Sequence, residues 1–311
     1  MSTVSDRTFD SDQTVSEGVR SRLFAISYRM LGSVAEAEDV VQESLLRLHR
    51  AQLEGTKIES PPAFLTSVAT RLAIDHLRSA RVRRETYVGA WLPEPLLTDE
   101  TLGAPDHAEM AESLSMAFLL LLERLSPVER AVFLLREVFD YEYAEIAEIV
   151  RKSEENCRQI FARAKRRIEE GKPRFETSRE KRDELANHFF AACESGTLDD
   201  LVALLASDAV FWGDGGGKAA AVREPLAGAD RVARLLQGIF AKCREKEVSM
   251  KRAPVNGQPG AMFFDSEGRL VSVLSLEIGD GVVRSIRGVV NPDKLTHLGP
   301  VSDINRLRPR E

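Results

Sequence analysis

The chain has 311 residues, 43% of them hydrophobic and 30% charged, with a formal net charge of −6. This is the composition of ordinary globular protein, long enough for two or three domains. The absence of an apolar run of about 18 residues excludes a membrane-spanning helix. The first 18 residues are polar and acidic, unlike a signal peptide, and read as a disordered arm. Cys157, Cys193 and Cys243 stand far apart and in no ligand-like pairs. They argue for reduced thiols in a cytoplasmic protein and against a metal site or disulfide framework.

Charge is unevenly placed. Arg71 to Arg84 holds five arginines against one acid, and Arg151 to Arg174 holds nine basic residues against four acidic ones. Residues 85–123 hold eight acids and no lysine or arginine. Two basic patches flanking an acidic connector point to two places that meet phosphate, although a solvated helix face is the commoner fate of one cluster.

From the N-terminus, residues 19–86 read as an all-helical domain. Leu23, Ile26 and Met30 recur at helical spacing, as do Val40, Val41, Leu45 and Leu48. Glu36, Glu38, Asp39 and Glu43 crowd one stretch without a basic residue, and Asp39 and Glu43, four apart, share a face. Pro61 and Pro62 open a further helix with an apolar stripe, ending in Arg78, Arg81, Arg83 and Arg84, a compact patch for phosphate. Gly89, Pro93, Pro95, Gly103 and Pro105 mark residues 87–107 as a linker. Trp91 within it has apolar area to bury and is expected to dock on protein. The acidity of Glu94, Asp99 and Glu100 sets the linker up to compete with DNA for the basic patches.

Residues 108–173 read as a second helical domain ending at Pro173. Ile146, Ala147, Ile149 and Val150 line a first helix; Ser153 caps a second, with Glu154 and Glu155 at its positive end. On that second helix Cys157, Ile160, Phe161, Ala164 and Ile168 fall on one side. Gln159, Ala162, Arg163 and Arg166 fall opposite, flanked by Arg158 and Lys165. This is the pattern of a helix-turn-helix whose outer face enters the major groove. The turn, Val150-Arg151-Lys152, lacks the glycine that a left-handed residue favours.

After a charged connector, residues 183–298 change texture. Helices at Glu184–Glu194, Asp199–Leu205 and Ala229–Lys242 precede strand-like runs separated by turn residues, which implies an α+β domain with a curved sheet over helices. His188, beside Phe189 and Phe190, reads as a packed core residue. Residues 299–311 form a tail.

EDVVQESLLRL and PPAFLTSVATRLAIDHLRSARVRRE resemble the second conserved region of extracytoplasmic-function sigma factors. LERLSPVERAVFLLREVFDYEYAEIAEIVRKSEENCRQIFARAKRRI resembles their fourth. The likeness covers residues 20–172. It implies that Glu36, Asp39 and Glu43 dock on core RNA polymerase, that Leu53 to Arg84 recognises and melts the proximal promoter element, and that the helix with Arg158, Gln159, Arg163, Lys165 and Arg166 reads the distal one. The last domain resembles the SnoaL-like cone. TYVGAWLPEP, WGDGGGK and NPDKL together resemble one sigma subfamily in which such an extension tunes activity. The implied regulatory elements are Trp91, Pro93, Glu94 and Pro95; Asp214, Gly215, Gly216, Gly217 and Lys218; and Asn291, Pro292, Asp293, Lys294 and Leu295.

The glycine run is not a phosphate-binding loop, since it lacks GxxxxGK[ST]. A tight turn latching this domain to the helices or the linker is preferred to a small-ligand pocket, with acid–base chemistry third. The expected protein is therefore multidomain: two all-α sigma domains, the second a helix-turn-helix, and an α+β SnoaL-like cone. It works with core RNA polymerase and promoter DNA, with a small ligand or protein as a further candidate partner at the C-terminal domain, without cofactor, metal or membrane, and is not an enzyme. A ligand-responsive helix-turn-helix regulator is the alternative, and a SnoaL-like cyclase or isomerase ranks last.

Overall fold

The computed structural model describes residues 16–98, 112–171, 178–195 and 197–302, and for residues 80–85 the backbone alone. The first bundle is α1 (Glu17–Leu31), α2 (Val34–Leu53) and α3 (Pro61–Glu85). Gly32 ends α1 in the left-handed conformation (φ 68°), donating its N–H to the Tyr28 carbonyl, and the Ser33 hydroxyl accepts from the Glu36 N–H to start α2. Leu23, Ile26, Val40, Leu48, Leu65 and Leu77 meet between the three helices.

The second bundle is α4 (Met116–Leu122), α5 (Pro127–Glu137), α6 (Tyr143–Val150) and α7 (Glu154–Gly171). A capping box between Ser126 and Glu129 begins α5. The two bundles share one continuous core rather than standing apart along the chain. The buried Arg130 side chain joins them, donating to the Met30 carbonyl at the end of α1 (2.6 Å) and the Leu122 carbonyl (3.1 Å), with Glu123 at 2.8 Å. Arg22 donates to the Phe139 carbonyl (3.0 Å), and the Thr66 and Tyr141 hydroxyls lie 3.1 Å apart. Arg29, buried on α1, stacks over the Phe139 ring at 5.4 Å; burial pulls its pKa down to about 10, so it remains a cation at neutral pH.

The third unit contains α8 (Arg179–Ser195), α9 (Leu198–Leu204), β1 (Leu205–Asp214), β2 (Leu226–Ala227), α10 (Ala229–Glu245), β3 (Ser249–Arg252), β4 (Gly260–Phe264), β5 (Leu270–Gly279) and β6 (Val282–Val289). The sheet order is β2-β1-β6-β5-β4-β3, with β1 and β6 parallel and the other pairs antiparallel. Alternation splits the sheet into two apolar faces. Phe211, Phe263, Leu276 and Ile286 pack with Phe189 and Phe190 of α8 and with Leu236 and Phe240 of α10. On the opposite face Met262, Val273 and Val289 meet Leu92 of the linker, Met116 of α4 and Leu295. His188 is exposed, not packed as expected: Ala186, Phe189, Phe190 and Cys193 follow the helical period inward and leave it on the outer side. No described helix is long and apolar enough to cross a membrane.

Candidate functional site

The α6–α7 pair has helix-turn-helix geometry. Arg151 itself takes the left-handed turn conformation (φ 54°, ψ 54°) that glycine usually supplies. The Ser153 hydroxyl accepts from the Asn156 N–H (3.3 Å) to start α7. Cys157, Ile160, Ala164 and Ile168 are buried, Phe161 is half-buried, and Gln159, Ala162, Arg163 and Arg166 are exposed on the far side. The flanking cations are held by carboxylates: Arg158 by Glu154 (2.9 Å), Lys165 by Glu137 (2.9 Å) and Arg167 by Glu129 (3.0 Å). The first two pairs are exposed and contribute little stability.

On α2, Asp39 is exposed and Glu43 pairs with Arg47 (2.8 Å), while Glu36 is half-buried in the first turn. Leu46 and Leu53 are exposed large hydrophobics farther along the same helix. On α3 the exposed Arg78 pairs with Asp75 (3.0 Å). The side chains of Arg81, Arg83 and Arg84 lie outside the described residues.

The linker and the third unit are tied together by one buried carboxylate. Asp214, at the end of β1, is fully buried. It accepts from the Tyr87 hydroxyl (2.5 Å), the Leu92 N–H (2.8 Å) and the Lys294 ammonium (2.7 Å). Lys294 also donates to the Leu92 carbonyl (2.5 Å) and lies 4.9 Å from the Tyr87 ring and 4.5 Å from the Trp91 ring. Burial, reinforced by Asp214, pushes the Tyr87 pKa above its ordinary value, so the phenol stays a donor. Asn291 donates to the Tyr87 oxygen (2.9 Å). Gly216 (φ 57°) permits that approach, because a Cβ there would sit 2.2 Å from the Asn291 amide nitrogen. Lys218 is not Asp214's partner; it reaches Asp293 instead, at 2.5 Å. Pro292 opens the short 3-10 turn Pro292–Lys294 that aims Lys294 inward, and Leu295 is buried behind it.

The rest of the linker clamps the first bundle. The Trp91 ring rests on Gly32, where a Cβ would come within 2.9 Å of it, and Pro93 packs beside it. The Glu94 carboxylate accepts from the Ser33 hydroxyl (2.8 Å) and from the Val34 (2.7 Å) and Ala35 (3.3 Å) N–H groups at the positive end of α2. Glu94 is therefore committed to a helix end; Asp99 and Glu100 lie outside the described residues. His297 bonds the Pro95 carbonyl (2.8 Å).

Asn256 (φ 54°), in the β3–β4 turn, joins three parts of the chain. Its amide nitrogen donates to the Tyr28 oxygen (2.6 Å) and the Leu114 carbonyl (2.9 Å), and its amide oxygen accepts from the Leu96 N–H (3.0 Å). Tyr87 and Asn256 were not singled out from sequence. Tyr87 stands inside TYVGAWLPEP, and the Asn256-Gly257 pair carries a turn signal, but neither pattern reveals a partner over 100 residues away.

Two helical bundles, the second ending in a helix-turn-helix, followed by a cone-shaped α+β unit, define a sigma-70-type initiation factor with a C-terminal extension. The sigma-70 region 2 family matches residues 17–83, the sigma-70 region 4 family residues 115–168, and the SnoaL-like domain family residues 186–290. The chain belongs to the extracytoplasmic-function (ECF) RNA polymerase sigma factors, which are initiation factors that bind core polymerase and promoter DNA, not enzymes. It is 36% identical over 289 residues to the ECF RNA polymerase sigma factor SigJ of Mycobacterium tuberculosis, covering 90% of this chain and 92% of that one. It is 32% identical over 281 residues to the probable ECF RNA polymerase sigma factor SigI of the same species, covering 90% and 93%. The crystal structure of M. tuberculosis SigJ superposes with a TM-score of 0.70 at 34% identity, over 90% of this chain and 96% of that one.

All three cysteines are unpaired, and burial pushes their thiol pKa values up, that of Cys193 to about 12.

Proposed function

We propose that this sigma factor recognises and melts specific promoters with regions 2 and 4, and that its SnoaL-like domain tunes this activity by holding both regions in a closed form. In this reading Glu36, Asp39 and Glu43 dock on core polymerase in the cytoplasm. Arg78, with Arg81, Arg83 and Arg84, binds phosphate at the proximal element. Gln159, Arg163 and Arg166 read the distal element between phosphate contacts from Arg158 and Lys165.

The observation that carries the regulatory part is the buried Asp214 carboxylate, whose donors come from the linker and from the Asn291-to-Leu295 turn together. Trp91, Pro93, Glu94 and Pro95 pass that restraint to region 2, and Asn256 passes it to the start of region 4. The glycine run is already filled by Tyr87, Val88 and Asn291, which favours a latch over a ligand pocket there.

The test is run-off transcription with core polymerase, comparing the whole chain with Asp214→Asn. The variant keeps the shape but removes the charge that holds Lys294, and at equal concentration it should transcribe several-fold more. Activity unchanged or reduced, in a variant whose helical content is intact, rejects the restraining role.

A further inference from the structure

The joint between α3 and α6 contains an arginine whose partners are backbone carbonyls rather than a carboxylate. Arg71, half-buried on α3, donates through Nε to the Ile149 carbonyl and through Nη2 to the Glu148 carbonyl, both at 2.8 Å. These oxygens belong to the last turn of α6, the first helix of the helix-turn-helix. A guanidinium set against two oxygens is the fork that recognises phosphate. A helix C-terminus carries only about half an elementary negative charge, so it is a weaker counterpart than a phosphate.

Two more observations point outward. Arg71 lies seven residues before Arg78, two helical turns away, so both stand on one face of α3. The Arg151 guanidinium lies close enough to disfavour Arg71's charge, adding to the effect of burial. Among the described residues neither arginine has a carboxylate partner. The joint thus brings two like charges near each other, with Arg71 held there by carbonyl oxygens.

We infer that Arg71 is a promoter-phosphate contact of region 2 that region 4 occupies in the closed chain. One fork serves the α6 carbonyls when the chain is closed and a DNA phosphate when it is open. Gripping the proximal promoter and releasing region 4 are then a single exchange of partners, in which a full negative charge replaces a partial one. This rests on the closed form proposed above.

The experiment uses holoenzyme, the whole chain with core polymerase, on a promoter duplex carrying both elements, with affinity measured across a salt series. Each phosphate contact contributes about 0.9 to the slope of log affinity against log salt. Arg71→Ala should lower affinity several-fold and reduce that slope by about one, while a pair of fluorophores on regions 2 and 4 reports a more open free chain. Arg71→Lys, which keeps the charge but loses the fork, should open the free chain and retain the slope. If Arg71→Ala opens the chain with an unchanged slope, Arg71 is a clamp only and the proposal fails. A closed free chain after either substitution overturns it too. Should Arg71→Ala not fold, Arg71→Gln carries the same slope measurement. If holoenzyme with the unaltered chain opens no promoter, it is the underlying promoter reading that fails instead.

Discussion

Asn256 shows how much one side chain can hold. Its two polar atoms serve three segments: the amide nitrogen donates to Tyr28 of α1 and to Leu114 before α4, and the amide oxygen accepts from Leu96 of the linker. Its left-handed backbone (φ 54°) suits asparagine and glycine better than other residues. Asn256→Gly tolerates that backbone while removing the side chain, so hydrogen exchange at its former partners reports the lost hydrogen bonds, while the melting temperature also carries glycine's added unfolded-state entropy. The Leu96 N–H and the Leu114 carbonyl then lose their partner, at about 1–3 kcal/mol for each buried group left unsatisfied. We expect a lower melting temperature and faster hydrogen exchange at the Leu96 amide. Wild-type exchange at that amide, in a folded variant, would show that the three segments hold together without this residue.

At the scale of an element, α7 separates a buried face from an exposed one. Its inner face is fixed by Cys157, Ile160, Ala164 and Ile168, and its flanking cations already have carboxylates. Arg163 is exposed on the outer face, so it can turn to a base edge without breaking the fold. Arg163→Ala should weaken binding of a duplex bearing the distal element by about 1–3 kcal/mol; an equal loss on scrambled duplex would assign it to phosphate. This division was legible in sequence because a surface helix writes its inner and outer faces at a fixed period. The turn was legible only in part: Arg151 takes a conformation that its residue type gives little reason to expect. The latch was legible as three motifs but not as a contact. WGDGGGK placed Asp214 near Lys218, yet the Pro292–Lys294 turn delivers Lys294 to Asp214 and leaves Lys218 with Asp293. The helical period also decides against the expectation for His188, because Ala186, Phe189, Phe190 and Cys193 mark the inner face and leave position 188 on the outer one. Glu94 could not be placed at all, because a carboxylate bound to a helix end some 60 residues away leaves no local pattern.

At the scale of the molecule, size decides whether the closed form can work on a promoter. The family's proximal (minus-ten) and distal (minus-thirty-five) elements are by those positions about 25 base pairs apart, or about 85 Å at a rise of about 3.4 Å per step. A compact body of about 150 residues has a radius of gyration near 15 Å and is less than half that span across. Regions 2 and 4 share one core and are pinned through Arg130, Arg22 and Arg71, so they cannot reach both elements while closed. Under the closed form proposed above, working on a promoter requires them to part, against the contacts through Asp214, Glu94 and Asn256. Fluorophores on the exposed positions Arg50 of α2 and Glu170 of α7 should report a short separation in the free chain. In the promoter complex with core polymerase the distance should lengthen by tens of ångströms, toward the span estimated from the helical rise. A transcribing complex that kept the free-chain distance would mean that the shared core survives initiation, and the SnoaL-like domain would then have no closed form to guard.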